Sequence, residues 1–567
     1  MKRWIWTAAL VMILSLLPVT AGAAEIVETG SCGDNVTYTL YDDGVLVIAG
    51  NGKMRDYSDS QRSPWHSSST RITKAVIERG VTSVGGWAFA DCGELADVTV
   101  PSGVTSIGDY AFSGCTSLTG ITIPEGVTSI EYYSFHNCTG LTDVTIPEGV
   151  ISIEPYAFFG CTNLTDVTIP AGVTSIGGWA FADCGKLAGV AIPESVTSIG
   201  SCAFYGCASL TVMTIPGSVT SIEDWVFADC GKLTGVTIPE GVTSIGSYAF
   251  SGCASLADVT IPAGVTSIGE WAFADCGKLA GVAIPEGVTR IENSTFYGCT
   301  SLADVTIPAG VTSIGGWAFA DCGELAGVVI PEGVTRIEES TFYGCASLTD
   351  VTIPGDVTSI GGWAFAGCGK LAGVTIPESV ASIEESAFSG CASLTDVTIP
   401  EGVTRIEKSA FSGCTSLNGV TIPEGVASIE ESAFSGCTSL ADVYYTGSEE
   451  RWGEISVASS NDSLQKADMH YFSRSAPSFV EQSGVLFDVG FNMVQWDAWS
   501  DGSVAVWGSV TPENPILVAA YDEHGRMTGL TWMTEPGRAD ISGGASAKLF
   551  WIDQYCTPKC KNAVIGE

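Results

Sequence analysis

Apolar residues recur along most of the chain in a pattern of 23 residues. In residues 118–123 (Leu-Thr-Gly-Ile-Thr-Ile) apolar side chains alternate with polar or small ones, which is typical of a short strand with one buried face. Pro124 has no N–H group to donate and therefore ends the strand. The sequence Pro-Glu-Gly that starts there favours a turn, after which Val127 and Ile130 form a second inward-facing pair.

The other half of the pattern has a different spacing. Ala111, Phe112 and Cys115 stand at positions i, i+1 and i+4, which places them on one face of a short helical turn. The chain leaves this turn at Cys115 and begins the next strand at Leu118. One repeat therefore predicts a strand, a turn, a second apolar pair and a helical turn.

The period is maintained over 16 repeats. Proline ends the strand every 23 residues from Pro101 to Pro423, and phenylalanine recurs in all 16 repeats from Phe89 to Phe434. A fixed period of this length predicts a solenoid, in which each repeat buries its apolar face only against its neighbours.

The repeat resembles the 23-residue leucine-rich repeat of BspA-like bacterial surface proteins. The pattern Leu-x-x-Ile-x-Ile-Pro-x-x-Val-x-x-Ile-Gly-x-x-Ala-Phe-x-x-Cys occurs at 118–138, where Glu131 replaces Gly and Ser134 replaces Ala. The resemblance implies an α/β leucine-rich-repeat solenoid of parallel strands with short helical or 3-10 turns. It also implies a secreted or cell-surface protein that acts in adhesion or partner binding.

Composition shifts divide the chain into five parts. Lys2 and Arg3 precede an apolar run that ends in Ala-Gly-Ala-Ala, which indicates a signal peptide and therefore export. The run is too short to favour a membrane span, so none is expected in the mature chain. The predicted parts are a signal peptide (1–24), an N-terminal β-hairpin cap (25–73), the solenoid (74–446), a C-terminal cap (447–475) and a small β domain (476–567).

The last part contains β-like runs separated by turn signals, which predicts a small all-β sandwich-like domain. It carries five tryptophans in under 60 residues: Trp496, Trp499, Trp507, Trp532 and Trp551. Such aromatics either stack on sugars or fill the core of the domain. Glycan or cell-wall binding by this domain, with the solenoid as a spacer, is thus an alternative function.

Charge and composition exclude several classes of partner. The net charge of −39 argues against nucleic acid and against an anionic membrane surface. The four histidines are far apart in sequence, and no metal-ligand spacing is present, so no metal or other cofactor is expected. The repeats offer identical side chains in rows rather than unlike groups in one pocket, so we expect no enzyme activity.

Sixteen of the twenty cysteines form one column, from Cys92 to Cys437. Equivalent side chains in parallel register lie about 4.8 Å apart, farther than a disulfide allows, so the column predicts buried free thiols. Cys202 falls in an outward-facing column, which predicts a surface thiol. Cys556 and Cys560 are candidates for a disulfide with each other.

A second period of 46 residues is superimposed on the first. It places tryptophan beside the phenylalanine column in alternate repeats, at Trp179, Trp225, Trp271, Trp317 and Trp363. Aromatic residues dominate binding hot spots, so these five are the candidate partner-binding stripe. The alternative is that the rings only pack over the neighbouring turn. The favoured hypothesis is protein interaction or adhesion, with a protein or glycan at a cell surface or matrix as the partner.

Overall fold

The computed structural model describes residues 24–471 and, beyond them, the backbone of eight strands between residues 480 and 565. The solenoid has about 17 turns. Each turn contributes two short strands, which pair in parallel with the equivalent strands of the next turn. Asp143, for example, pairs with Asp166 and Ser152 with Ser175, a shift of one repeat in both sheets. The predicted parallel solenoid is confirmed.

The first strand of each turn ends before the proline. These strands are Lys74–Ile77, Asp97–Thr99, Gly120–Thr122, Asp143–Thr145, Asp166–Thr168, Gly189–Ala191, Val212–Thr214, Gly235–Thr237, Asp258–Val259, Gly281–Ala283, Asp304–Thr306, Gly327–Val329, Asp350–Thr352, Asp396–Thr398, Gly419–Ile422, Asp442–Tyr445 and Asp468–Tyr471. Gly373 continues the column through a single bridge to Asp396.

The second strand of each turn follows the proline turn. These strands are Gly52–Lys53, Val81–Val84, Ser106–Ile107, Ser129–Ile130, Ser152–Ile153, Ser175–Ile176, Ser198–Ile199, Ser221–Ile222, Ser244–Ile245, Ser267–Ile268, Arg290–Ile291, Ser313–Ile314, Arg336–Ile337, Ser359–Ile360, Ser382–Ile383, Arg405–Ile406, Ser428–Ile429 and Ser456–Val457.

The predicted helical turn is wrong. From Tyr110 to Cys115 the N–H groups alternate: every second one donates to the carbonyl three residues earlier, as Ala111 does to Gly108, and those between them donate to carbonyls of the next turn. Tyr110 and Gly114 have φ angles of +56° and +73°, which no right-handed helix contains. Apolar spacing alone cannot separate a helical turn from two consecutive tight turns. We call the surface formed by these segments the turn face.

The core consists of columns that run the length of the solenoid. Successive phenylalanine rings, from Phe89 to Phe434, stack nearly parallel with centroids 5.2–5.7 Å apart. All sixteen rings are fully buried. Burial of such a side chain contributes about 1.5–3 kcal/mol, so stacking between neighbouring turns stabilises the array.

The cysteine column lies beside these rings, and its thiols are free. The Cys115 thiol donates a hydrogen bond to the carbonyl of Phe89, and the bond recurs in every later turn up to Cys437. Cys202 is not a surface thiol as predicted, because its side chain is only 6% exposed. The large side chains of Trp179 and Trp225 precede and follow this small residue in the same column, so little of its surface is exposed.

A hairpin precedes the first turn. Val36–Tyr41 pairs antiparallel with Val45–Gly50 and with Ile26–Ser31, and Val45–Gly50 pairs in parallel with Lys74–Ile77. A 3-10 helix, His66–Arg71, follows. Trp65 is fully buried, and its indole N–H donates to the carbonyl of Ala88.

Two short helices, Glu449–Trp452 and Asp462–Lys466, interrupt the last turns. The C-terminal strands are Val480–Phe487, Met493–Trp499, Ser503–Gly508, Ile516–Tyr521, Met527–Met533, Gly537–Asp540, Ser546–Trp551 and Ala563–Ile565. They form two four-stranded antiparallel sheets. The predicted sandwich packing and the five part boundaries remain predictions. Residues 1–23, Cys556 and Cys560 lie outside the described residues.

Candidate binding surface

Twelve aromatic rings form a continuous row along the turn face. Consecutive centroids are 3.9–6.3 Å apart. We call this row the aromatic ladder; its members are Trp87, Tyr110, Tyr133, Tyr156, Trp179, Tyr205, Trp225, Tyr248, Trp271, Tyr297, Trp317 and Tyr343. Aromatic rings in such contacts prefer offset-stacked or tilted arrangements, as observed here.

Three members were missed by the sequence interpretation. We call the position of Trp179 and its equivalents in the other repeats the aromatic column. Where it holds Cys202, Ser294 or Ser340, a tyrosine three residues later fills the gap. Tyr205 lies 5.6 Å from Trp179 and 6.2 Å from Trp225, measured between ring centroids. The signal was present in the sequence, because tyrosine occurs at this position only in repeats that lack an aromatic residue in the column, namely in three of the six such repeats.

The five predicted tryptophans do not all have the same environment. Four of them lie between two other rings, namely Trp179, Trp225, Trp271 and Trp317. Of these, Trp179 and Trp271 are partly buried. Trp225, Trp317 and Trp363 are more exposed, at 36%, 38% and 37% of their surface. In these three the preceding repeat has Cys or Ser in the aromatic column. Stacking on neighbours and exposure therefore coexist, and a role in partner binding stays a prediction.

A row of aspartate side chains lies beside the aromatic ladder. Asp183, Asp229, Asp275 and Asp321 each follow a tryptophan by four residues, and each has a φ angle of 57–59°. Burial, followed by the charges of Asp229 and Asp321, raises the pKa of the Asp275 carboxyl above its usual range. Burial and the charge of Asp229 likewise raise the pKa of Asp183. The row thus concentrates negative charge beside aromatic faces.

A cationic side chain of the same chain contacts a tryptophan–aspartate pair of this kind. The Arg62 guanidinium lies over the Trp87 ring, with Cζ 4.9 Å from the centroid. Its Nη1 donates to Oδ2 of Asp91 at 2.9 Å, and its Nη2 pairs with Asp59. Tyr110 stacks on Trp87 at 4.2 Å, which leaves no room for a guanidinium between these two rings. Arg62 therefore covers the opposite face of the indole.

A second candidate surface is formed by the first strands of the turns, and we call it the strand face. Exposed Asp258 and Asp304 flank Gly281, and together with Thr260 and Thr306 they line a shallow groove of about 480 Å³. The aspartates are two turns apart, about 10 Å, which is too far for them to share one cation. Within residues 24–471, no group of three or more His, Cys, Asp or Glu side chains could hold a metal ion.

A family model for "BspA type Leucine rich repeat region (6 copies)" matches residues 65–188, 128–245, 220–349 and 335–462. The chain belongs to this family. The matched residues include the whole aromatic ladder and the phenylalanine and cysteine columns, so the resemblance noted in the sequence is confirmed. A search of curated proteins finds no match.

Solved structures similar to this chain include three bacterial proteins. A leucine-rich repeat protein from Bacteroides ovatus is 27% identical, with a TM-score of 0.49, over 77% of this chain and 98% of that one. A leucine rich cell surface protein from Faecalibacterium prausnitzii is 29% identical, with a TM-score of 0.37, over 76% and 97%. A leucine-rich repeat protein from Eubacterium ventriosum is 27% identical, with a TM-score of 0.37, over 69% and 95%.

The side chains of the five C-terminal tryptophans lie outside the described residues, so the glycan-binding alternative stays a prediction. No helix among the described residues is long and apolar enough to cross a bilayer.

Proposed function

We propose that this is an exported, cell-surface or secreted protein that binds partner proteins through the aromatic ladder and performs no catalysis. The observation that carries the proposal is the exposure of two ladder members, Trp225 and Trp317, and of Trp363, which follows the ladder at the same 46-residue spacing. Large aromatics with partly exposed faces are enriched in binding hot spots. A row of similar contacts would also allow weak individual sites to add up through avidity.

Family membership supports the proposal, because repeat solenoids present extended surfaces for partner binding. The leucine rich cell surface protein of Faecalibacterium prausnitzii supports the cell-surface location. The predicted signal peptide supports export. The large negative charge favours a partner with basic groups on its surface.

The test is a binding assay of the full chain against purified host matrix proteins and bacterial wall glycan. The variant W225A/W317A/W363A removes the three most exposed tryptophans of the solenoid. We expect it to weaken partner binding at least tenfold, because truncating a hot-spot residue costs more than about 1 kcal/mol. Circular dichroism of the variant checks that the solenoid is retained.

A matched control is available on the strand face. Val212 and Val329 are 59% and 70% exposed, and V212A/V329A removes apolar surface away from the ladder. Binding that survives the tryptophan variant but is reduced by this control would contradict the proposal. Binding that disappears only when residues 476–567 are removed would favour the glycan-binding alternative.

A further inference from the structure

We infer that the pair Trp317 and Asp321 is a binding site for an arginine side chain of a partner protein. This inference rests on the proposed role of the aromatic ladder and adds the chemistry of its ligand. It is carried by a comparison within the chain, between the segment that holds Arg62 and a second copy of that segment farther along the solenoid.

The two segments have the same sequence. Residues 85–96 and 315–326 both read Gly-Gly-Trp-Ala-Phe-Ala-Asp-Cys-Gly-Glu-Leu-Ala. The first places Trp87 and Asp91 around the guanidinium of Arg62. The second places Trp317 and Asp321 on the turn face, ten repeats later.

The backbone conformation of the two copies is also the same. Trp87 and Asp91 have φ angles of 58° and 62°, and Trp317 and Asp321 have 61° and 58°. The N–H groups of Asp91 and Asp321 donate to the next turn at 2.7 and 2.6 Å. The Cα–Cβ bonds of the indole and the carboxylate therefore leave equivalent backbones in both copies.

In the part of the chain that the structure describes, the second copy has no cation over its indole ring. Within residues 24–471 Asp321 forms no ion pair, and its partner is the Tyr297 hydroxyl, which donates a hydrogen bond to it. A phenol is a neutral donor, so it brings no positive charge to the carboxyl group, which has further acceptor sites. The rings of Tyr297 and Tyr343, from the preceding and following turns, lie tilted at 6.3 and 5.7 Å from Trp317, which remains 38% exposed.

The ligand chemistry follows from Arg62. A guanidinium is planar and weakly hydrated, so it can stack on an indole while its N–H groups bind a carboxylate; an ammonium is a compact, strongly hydrated charge and fits such a site less well. The chain's net charge of −39 favours approach of a basic partner. The copies at Trp179, Trp225 and Trp271 are less suited to bind a cation. Each has lysine at the position that Glu94 and Glu324 occupy in the two identical segments.

The chain contains a natural control. Residues 361–372 repeat the segment with two changes, Gly367 for the aspartate and Lys370 for the glutamate. Trp363 is exposed to the same extent as Trp317. This copy therefore offers the indole without the carboxylate.

The experiment is a titration of the full chain, labelled with ¹⁵N-tryptophan, with N-acetyl-arginine amide and with N-acetyl-lysine amide. Indole resonances are assigned with W317F and W363F. We expect the arginine compound to shift the Trp317 resonance saturably, in the millimolar range typical of a single small contact, and to leave Trp363 nearly unchanged. The lysine compound should bind at least threefold more weakly.

Two reciprocal variants test the carboxylate. D321G/E324K converts the site into the natural control and should abolish the saturable shift of Trp317. G367D/K370E should create a saturable shift at Trp363; the substitution fits because the next turn has glycine, Gly390, beneath the new side chain. Equal shifts of Trp317 and Trp363 in the unmodified chain would overturn the inference.

The arginine site can be wrong even if the proposed function is right. If a partner from the binding assay is weakened by W317A but not by D321G/E324K, the ladder binds partners and the arginine site is wrong. If W317A, D321G/E324K and the triple tryptophan variant all leave binding of the partner unchanged, both proposals are wrong.

Discussion

The carboxylate of Asp183 lies over Gly206 of the next turn, with Oδ1 2.5 Å from the position that a Cβ atom on residue 206 would occupy. The same relationship joins Asp229 to Gly252, at 2.4 Å. An aspartate in one turn thus requires glycine in the next. This steric pairing gives a physical reason for part of the 46-residue period.

The pairing predicts the effect of G206A. The added methyl group would meet the Asp183 carboxylate, and Gly206 also has a φ of +68°, so we expect a loss of about 2–4 kcal/mol in local stability. Amide hydrogen exchange by mass spectrometry, read at the turns around 183–228, measures this loss.

G390A is the matched control for that measurement. Gly390 has a similar φ of +75°, but its neighbour is Gly367, at an ordinary contact distance of 3.5 Å. This variant should lose only the backbone term, about 1–2 kcal/mol. D183G/G206A should also return to that smaller loss. Equal losses in G206A and G390A would show that the carboxylate contact contributes nothing.

The burial of the cysteines predicts that none of the thiols in the described residues is reactive in the folded chain. All eighteen cysteines of the described residues are buried, including Cys202, so none should react with a thiol reagent at pH 8 in the folded chain. The measurement uses C556S/C560S, which removes the two cysteines outside the described residues. All eighteen should react after unfolding in urea, and rapid reaction of one thiol before unfolding would contradict the burial of Cys202.

Alkaline pH should destabilise the solenoid. Burial raises the pKa of Cys138, Cys230 and Cys299 to about 12, from 9.0 for an unperturbed thiol. The folded state therefore holds these protons more tightly than the unfolded state, so this contribution is complete below pH 9 and is lost as the pH rises towards 12. The thermal midpoint should fall steeply over that range.

Tyrosines and lysines titrate in the same range, so a second variant is needed. C138A/C230A/C299A should be less stable at pH 7, because each substitution leaves a small cavity, yet should lose less stability between pH 9 and 12. An equal alkaline loss in both chains would assign the effect to other groups.

Much of this architecture can be read from the sequence. Strand positions such as Ile121 and the columns of Phe112 and Cys115 follow from period and polarity, because every turn repeats the same neighbours. The turn at Tyr110 cannot be read in this way, since its positive φ angle depends on hydrogen bonds to the next turn. The error at Cys202 has another cause, since the exposure of a small side chain depends on the large residues before and after it in the column.

The candidate site could be predicted only in part. The period located the tryptophans but not their connection through Tyr205, which lies outside the aromatic column. The contact between Arg62 and Trp87 joins a segment without repeats to the first turn, so no spacing rule indicates it. Tertiary contacts of this kind require coordinates.

Trp65 should protect the first turns of the solenoid. It is fully buried between the hairpin and Phe89, with ring centroids 5.9 Å apart, and it donates to the carbonyl of Ala88. W65A should cost about 3–5 kcal/mol through the cavity and the unpaired carbonyl.

Because each turn contacts only its neighbours, the loss from W65A should appear as faster amide exchange in residues 74–120 and fade farther along the chain. W65F keeps most of the ring volume and should lose less. Uniformly faster exchange across all turns would instead indicate that the array unfolds as one unit.

The alternation of aspartate and glycine also bears on how the chain avoids misfolding. Because the turns are so similar, a turn could pair with the wrong neighbour if the turn between them were looped out. Asp183 would then lie against Asp229, which places two carboxylates where only a glycine fits. Skipping a single turn is thereby penalised, and only the loss of two turns restores the match. The last five turns have glycine throughout this column, at Gly344, Gly367, Gly390, Gly413 and Gly436. Pairing errors of one turn should therefore concentrate at the C-terminal end of the array.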